Sequence, residues 1–152
     1  MEKPTGCQGC PMYQSGEGFV PDEIVEGSEV FVLGQNPGAD EEKAGKPFVG
    51  KTGQAMIERY FPVAGLRRGE NVSIGNSIRC RWKDSNNLPT GKLLQQAREH
   101  CTREHLRIPR SVRLVVAQGA LASKVVSKDE KISIEKWRGF LIENNLSPEN
   151  FV

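Results

Sequence analysis

No stretch of this 152-residue chain approaches the run of about 18 apolar residues needed to cross a bilayer. The opening Met1-Glu2-Lys3-Pro4-Thr5-Gly6 also lacks the apolar core of a signal peptide, so a cytoplasmic protein is expected. Histidine occurs only twice, and no internal repeat or low-complexity tract is present. Charge of one sign is scarce as well: the net charge is +2 and the pI about 8.4. This excludes a chain held to a polyanion by overall charge, so any nucleic-acid surface must be a local patch. What is present is ordinary for a globular domain: 37% hydrophobic and 26% charged residues. The length suits one domain with one core, residues 1–152.

The first 28 residues are rich in Gly, Pro, Glu and Ser and read as loop. Strand and helix signals then alternate. Glu29 to Leu33 is a short apolar run ending at Gly34, which suits a strand buried on both faces. From Thr52, Ala55, Met56, Tyr60 and Phe61 recur at helical spacing up to Pro62. Val72 to Ile78 reads as a second strand. Thr90 is placed to cap a helix carrying Leu93, Leu94, Ala97, Cys101 and Leu106. Val112 to Ala117 is a third strand, Gly119 to Val126 a short helix, and Gly139-Phe140-Leu141-Ile142 the opening of a fourth strand. The alternation predicts a three-layer α/β/α fold with a central, mostly parallel, four-stranded sheet. Binding sites in such folds lie in loops at the carboxyl ends of the strands.

Four cysteines in a reducing compartment read as metal ligands or as small buried hydrophobes, not as disulfides. Cys7 and Cys10 are two residues apart in a loop, Cys80 follows the second strand, and Cys101 lies on the next helix. Four thiolates suit tetrahedral zinc or a [4Fe-4S] cluster, and spacing alone does not separate the two.

The segment Gly34 to Gly53 leaves a strand, carries many glycines and reaches a helix start. Its glycines let backbone approach a ligand closely. It lacks the Gly-Lys-Ser/Thr ending of a phosphate-cradling loop and contains no Gly-x-Gly-x-x-Gly. Phe48, between Pro47 and Val49, is a ring for stacking on a flat ligand or a loop anchor in the core. Asn36 and Asn76 each follow or close a strand. Their amides can read a pyrimidine edge, and turn or cap roles are the alternative. Arg79, Arg81, Trp82 and Lys83 make a basic and aromatic cluster suited to phosphate contact, or a solvated charged turn. Arg67 and Arg68 read as plain surface charge.

In order and spacing, these motifs make the chain resemble the family 4 type of uracil-DNA glycosylase. That family carries Gly-Glu-x-Pro-Gly, then acidic residues, then Gly-x-Pro-Phe-Val-Gly-x-x-Gly, as Gly34 to Gly53 do here with one change. It also carries an N-terminal Cys-x-x-Cys, an Asn-x-x-Lys/Arg-Cys-Arg and a later helical cysteine. Cys7, Cys10, Asn76 to Arg81 and Cys101 take those places. The resemblance implies a [4Fe-4S] cluster on Cys7, Cys10, Cys80 and Cys101. It implies a flipped uracil stacked on Phe48 and read by Asn76, with Asn36 and Glu41 positioning the attacking water and Gln35 lining the pocket. Arg79, Arg81 and Lys83 become candidate DNA contacts. The implied partner of this expected monomer is uracil-containing DNA, single- or double-stranded, which would place the protein at the nucleoid.

Two departures matter. Gln35 stands where the family has Glu and has no carboxylate to act as a base, and Gly34-Gln35-Asn36-Pro37-Gly38 looks closer to the loop of mismatch-specific relatives. The family's His-Pro-Ser/Ala segment, whose histidine stabilises the departing uracil, is absent; a C-terminally truncated chain is the expectation. His100 and His105 flank Cys101 on a helix and read as packed or solvated helix residues. A non-catalytic iron-sulfur DNA-binding module of the same fold is therefore the second expectation, and a zinc-stabilised domain the third.

Overall fold

A computed structural model describes residues 2–82 and 90–152. Its centre is a parallel three-stranded sheet of β2 (Val30–Gly34), β3 (Val72–Asn76) and β5 (Leu114–Ala117), in the order β3-β2-β5. β2 is sandwiched between the other two, so its side chains alternate between two buried layers. Phe31 and Leu33 pack with Leu106, Ile108, Ala122, Val125, Val126 and Leu146. Val32 points the other way, to Phe48, Met56, Phe61, Val72 and Ile74. A continuous apolar run in the sequence is thus a strand covered on both sides, as the α/β reading requires.

A small antiparallel pair, β1 (Gly16–Glu17) with β4 (Arg81–Trp82), stands beside this sheet. Two-residue strands leave no periodic trace, so the sequence reading missed them. The helices are α1 (Ala39–Ala44), α2 (Lys51–Ala55), α3 (Phe61–Val63), α4 (Gly91–His105), α5 (Ala120–Ser127) and α6 (Ile134–Trp137). α2 runs through a π-turn, Met56–Tyr60, into α3, so the helix passes Pro62 and does not stop there. Thr90 holds the N-cap position of α4 in extended conformation but makes no side-chain cap bond.

The expected fourth strand is a correction. Gly139 to Ile142 forms no ladder; Phe140 is 67% and Leu141 88% exposed, and Gly139 has φ +80°. A left-handed glycine turns the backbone at the start of a run of only four residues. The segment lines a cavity with β5 but adds no strand to its edge, where Leu114 and Val116 are also exposed. Among the described residues the sheet has three strands. No helix among them is long and apolar enough to cross a membrane.

Candidate active site and cysteine pocket

A cavity of about 510 Å³ opens at the carboxyl ends of all three parallel strands. Gly34 to Asn36 enter it after β2, Asn76 closes β3, and Gln118 and Gly119 follow β5. Asp40, Glu41, Phe48 and the start of α2 complete its wall. The structure therefore gathers Gln35, Asn36, Glu41, Phe48 and Asn76, five separately chosen residues, around one space.

Phe48 takes the core-anchor place and also faces the cavity. It is buried at 9% exposure within the cluster around Val32 and Met56, and it also lines the cavity. Its φ of +53° is strained for a side chain of this size. Three contacts hold that conformation. Gly53 passes so close to the Phe48 carbonyl that a Cβ there would overlap it. Arg68 donates from Nη1 to Phe48 O at 3.0 Å and from Nη2 to Pro47 O at 2.7 Å. Arg68 is itself oriented by Glu23, whose Oε2 accepts from its Nη2 at 2.7 Å. The reading of Arg68 as plain surface charge is thus corrected: its planar fork clamps the aromatic loop. Sequence spacing gave no signal for this, because Arg68 and Phe48 meet only across the fold.

Glu41 is also committed. Its Oε1 accepts from the backbone N–H of Val49 at 3.0 Å and of Gly50 at 2.8 Å, and its Oε2 from that of Gly38 at 3.0 Å. The carboxylate ties the start of α1 to the segment entering α2, with Phe48 just before it. Asn36 is half-buried and donates from Nδ2 to Pro37 O at 3.0 Å, which leaves its Oδ1 as an acceptor. Gln35 is exposed and lies over Gly119, where a Cβ would come within 2.8 Å of its Cδ. Asn76 is buried at 3% exposure. Gln118 was missed, although the rule that sites form at strand ends applied to β5 as much as to β2.

The four cysteines lie together on the other side of β3. Cys7, Cys10, Cys80 and Cys101 line one apolar pocket with Met12, Ile78, Trp82 and Ala97. All four are free thiols. Burial pushes the Cys7 thiol up to about 11, with added repulsion from Cys101 and Cys10. Burial likewise pushes Cys80 up to about 12. Four cysteine sulfurs lining one apolar pocket form a donor set suited to a metal centre that takes thiolates. Among the described residues, no three Cys, His, Asp or Glu side chains converge on a single ion. His105 Nε2 is 3.3 Å from Cys7 Sγ, and His100 Nε2 is 2.9 Å from Gly6 O. Burial and then Arg79 lower His105 to about 4. Both histidines are packed helix residues beside the cysteines.

The candidate DNA contacts change most. Arg79 is 1% exposed and paired with Asp22, so it has no surface to offer a phosphate. Its guanidinium turns inward, donating from Nη2 to Asp22 Oδ2 and pointing Nη1 at Cys101 Sγ. Arg81 is held between Glu17 and Glu42. These two carboxylates offset its charge. Lys83 lies outside the described residues.

Comparison with known proteins adds to this geometry. Residues 21–149 match the profile of the Uracil DNA glycosylase superfamily. A type-4 uracil-DNA glycosylase of Thermotoga maritima is 33% identical over 138 residues, which cover 91% of this chain and 69% of that protein. One of Archaeoglobus fulgidus is 31% identical over 120 residues, covering 79% of this chain and 58% of that protein, less than two thirds of its length. One of Pyrobaculum aerophilum is 40% identical over 75 residues.

Proposed function

The chain belongs to the uracil DNA glycosylase superfamily, and from that premise we propose that it releases uracil, or a related deaminated base, from DNA by hydrolysing the N-glycosidic bond. The observation that carries the proposal is the convergence of Phe48, Asn76, Asn36 and Gln35 on one cavity at the strand ends. An extruded base entering it stacks on the Phe48 ring, and the Asn76 amide reads its polar edge. Extrusion costs a few kcal/mol, least at a mispaired base, and stacking with edge contacts offsets it.

Hydrolysis passes through an oxocarbenium-like sugar, and a water attacks C1′. The acceptor oxygen of Asn36 orients that water, with Gln35 at the rim as an amide and not as a base. Glu41 acts by holding the loop: its three amide contacts keep Phe48 and Asn36 at fixed separation. Amide donors at the pocket, Asn76 among them, stabilise the departing uracil anion.

The four cysteines are the proposed ligands of a [4Fe-4S] cluster. When bound it supplies a structural cross-link between the N-terminal loop, the end of β3 and α4.

The test is a single-turnover assay with anaerobically purified protein on uracil-containing single- and double-stranded oligonucleotides, with abasic sites revealed by alkaline cleavage. Base release that is lost in Asn36→Ala and Asn76→Ala supports the proposal. DNA binding without base release would instead make the chain a binding module of the same fold.

A further inference from the structure

Arg79 and Asp22 form an ion pair at 2.5 Å with side chains 1% and 7% exposed. Taking both charges out of water is costly unless the remaining polar atoms are satisfied. They are not fully satisfied among the described residues. Asp22 Oδ1 has no hydrogen-bond partner among the described residues. Arg79 spends Nη2 on Asp22 and turns Nη1 toward Cys101 Sγ, 3.7 Å away. An arginine that needed only its carboxylate would have no reason to reach a thiol pocket.

The pair also touches the active site from behind. Asp22 lies against Gly75, where a Cβ would overlap its carboxylate. The Asn76 backbone N–H is near enough to favour the ionised form of Asp22, opposing the upward push of burial. Arg79 O accepts from Val20 N at 2.8 Å, and Glu23 pairs with Ile74 in a short antiparallel bridge. A buried run thus leads from Cys101 through Arg79 and Asp22 to Gly75 and Asn76, the base-reading end of β3.

We propose that Arg79 and Asp22 are positioning residues that couple the cysteine-bound group to Asn76: Arg79 donates to the Cys101 sulfur of the bound cluster, and Asp22 holds both Arg79 and the end of β3. This rests on the iron-sulfur reading above. Hydrogen bonds to the sulfurs of a thiolate-ligated cluster tune it, and a cationic donor also offsets its negative charge. Arg79 is the donor best placed to serve, because its guanidinium stays charged at all working pH values.

The experiment uses the full chain, reconstituted anaerobically, and compares wild type with Arg79→Gln, Arg79→Lys, Asp22→Asn and the Asp22→Asn/Arg79→Gln double variant. The readouts are iron and sulfide per chain, the iron–sulfur(Cys) stretching bands in resonance Raman spectra, the rate of iron loss to a chelator, and KM and kcat for base release. Arg79→Gln is expected to shift the stretching bands and to speed iron loss about tenfold, with Arg79→Lys between it and wild type. Asp22→Asn is expected to raise KM severalfold and to lower kcat with it, since it moves Asn76, which both reads the base and stabilises the departing uracil anion. The double variant leaves no unpaired charge in the interior, the main cost of either single change, so it keeps the proposal testable if a single variant does not fold. Wild-type bands and chelator resistance in the double variant would overturn the proposal. A wild-type chain that takes up no iron and sulfide would overturn the iron-sulfur reading itself, and this inference with it.

Discussion

Gly34 and Asn76 are register partners at the ends of β2 and β3, and the space above Gly34 is where Phe48 and Asn76 meet. A Cβ on Gly34 would lie 2.5 Å from Phe48 Cζ and 2.6 Å from Asn76 Oδ1. The Phe48 ring and the Asn76 amide approach each other this closely only because the residue beneath them has no side chain.

Gly34→Ala is therefore expected to abolish base release while the chain still folds. Overpacking of this kind costs about 1–3 kcal/mol. Thermal unfolding and the abasic-site assay together check it: a folded variant with unchanged base release would mean that Phe48 and Asn76 do not share the substrate.

Arg68→Ala removes the clamp on the Phe48 and Pro47 carbonyls and leaves Glu23 without its partner. We expect a loss of about 1–2 kcal/mol in stability, as for a hydrogen-bonded charged group, and KM for uracil-containing DNA raised about tenfold. Arg68→Lys should rescue poorly because an ammonium cannot fork across two carbonyls and a carboxylate. Steady-state kinetics on the two variants decide this.

Glu41→Gln separates loop holding from base catalysis. If Glu41 acts by accepting three backbone N–H groups, the amide keeps one acceptor oxygen and turns an NH2 toward the donors on the other side. Stability should then fall by about 1–3 kcal/mol, and base release should fall in parallel with it. Full stability with abolished base release would make Glu41 a base after all. Denaturant unfolding beside the single-turnover assay distinguishes the two.

The metal-free protein should lose stability in alkali. Burial raises the Cys7 and Cys80 thiols above their ordinary value of 9.0, to about 11 and about 12. The folded chain thus holds these protons more tightly than the unfolded chain does. Their contribution is fully present below pH 9 and is lost as pH rises through the window from 9 to 12. Once iron binds, the thiolates are ligands and this dependence should flatten. Melting temperatures of metal-free and reconstituted protein from pH 8 to 11 test both statements.

The sequence by itself determined the three parallel strands and most of the residues gathered at their carboxyl ends. The apolar runs over residues 29–33, 72–78 and 112–117 announced those strands, and polar residues or glycine stood at or near their ends. The order of motifs from Cys7 to Cys101 named the family, which the match over residues 21–149 bears out. Tertiary structure alone decided which charges are free. Arg79 and Arg68 sit in polar, loop-like sequence and look like surface residues, yet one is buried against Asp22 and the other clamps Phe48. Their partners lie 57 and 20 residues away, so no local period could reveal them. The same limit produced the mistaken fourth strand: Gly139 to Ile142 has strand-like composition, but a strand exists only when an edge within reach pairs with it, and that depends on where the chain before it has gone.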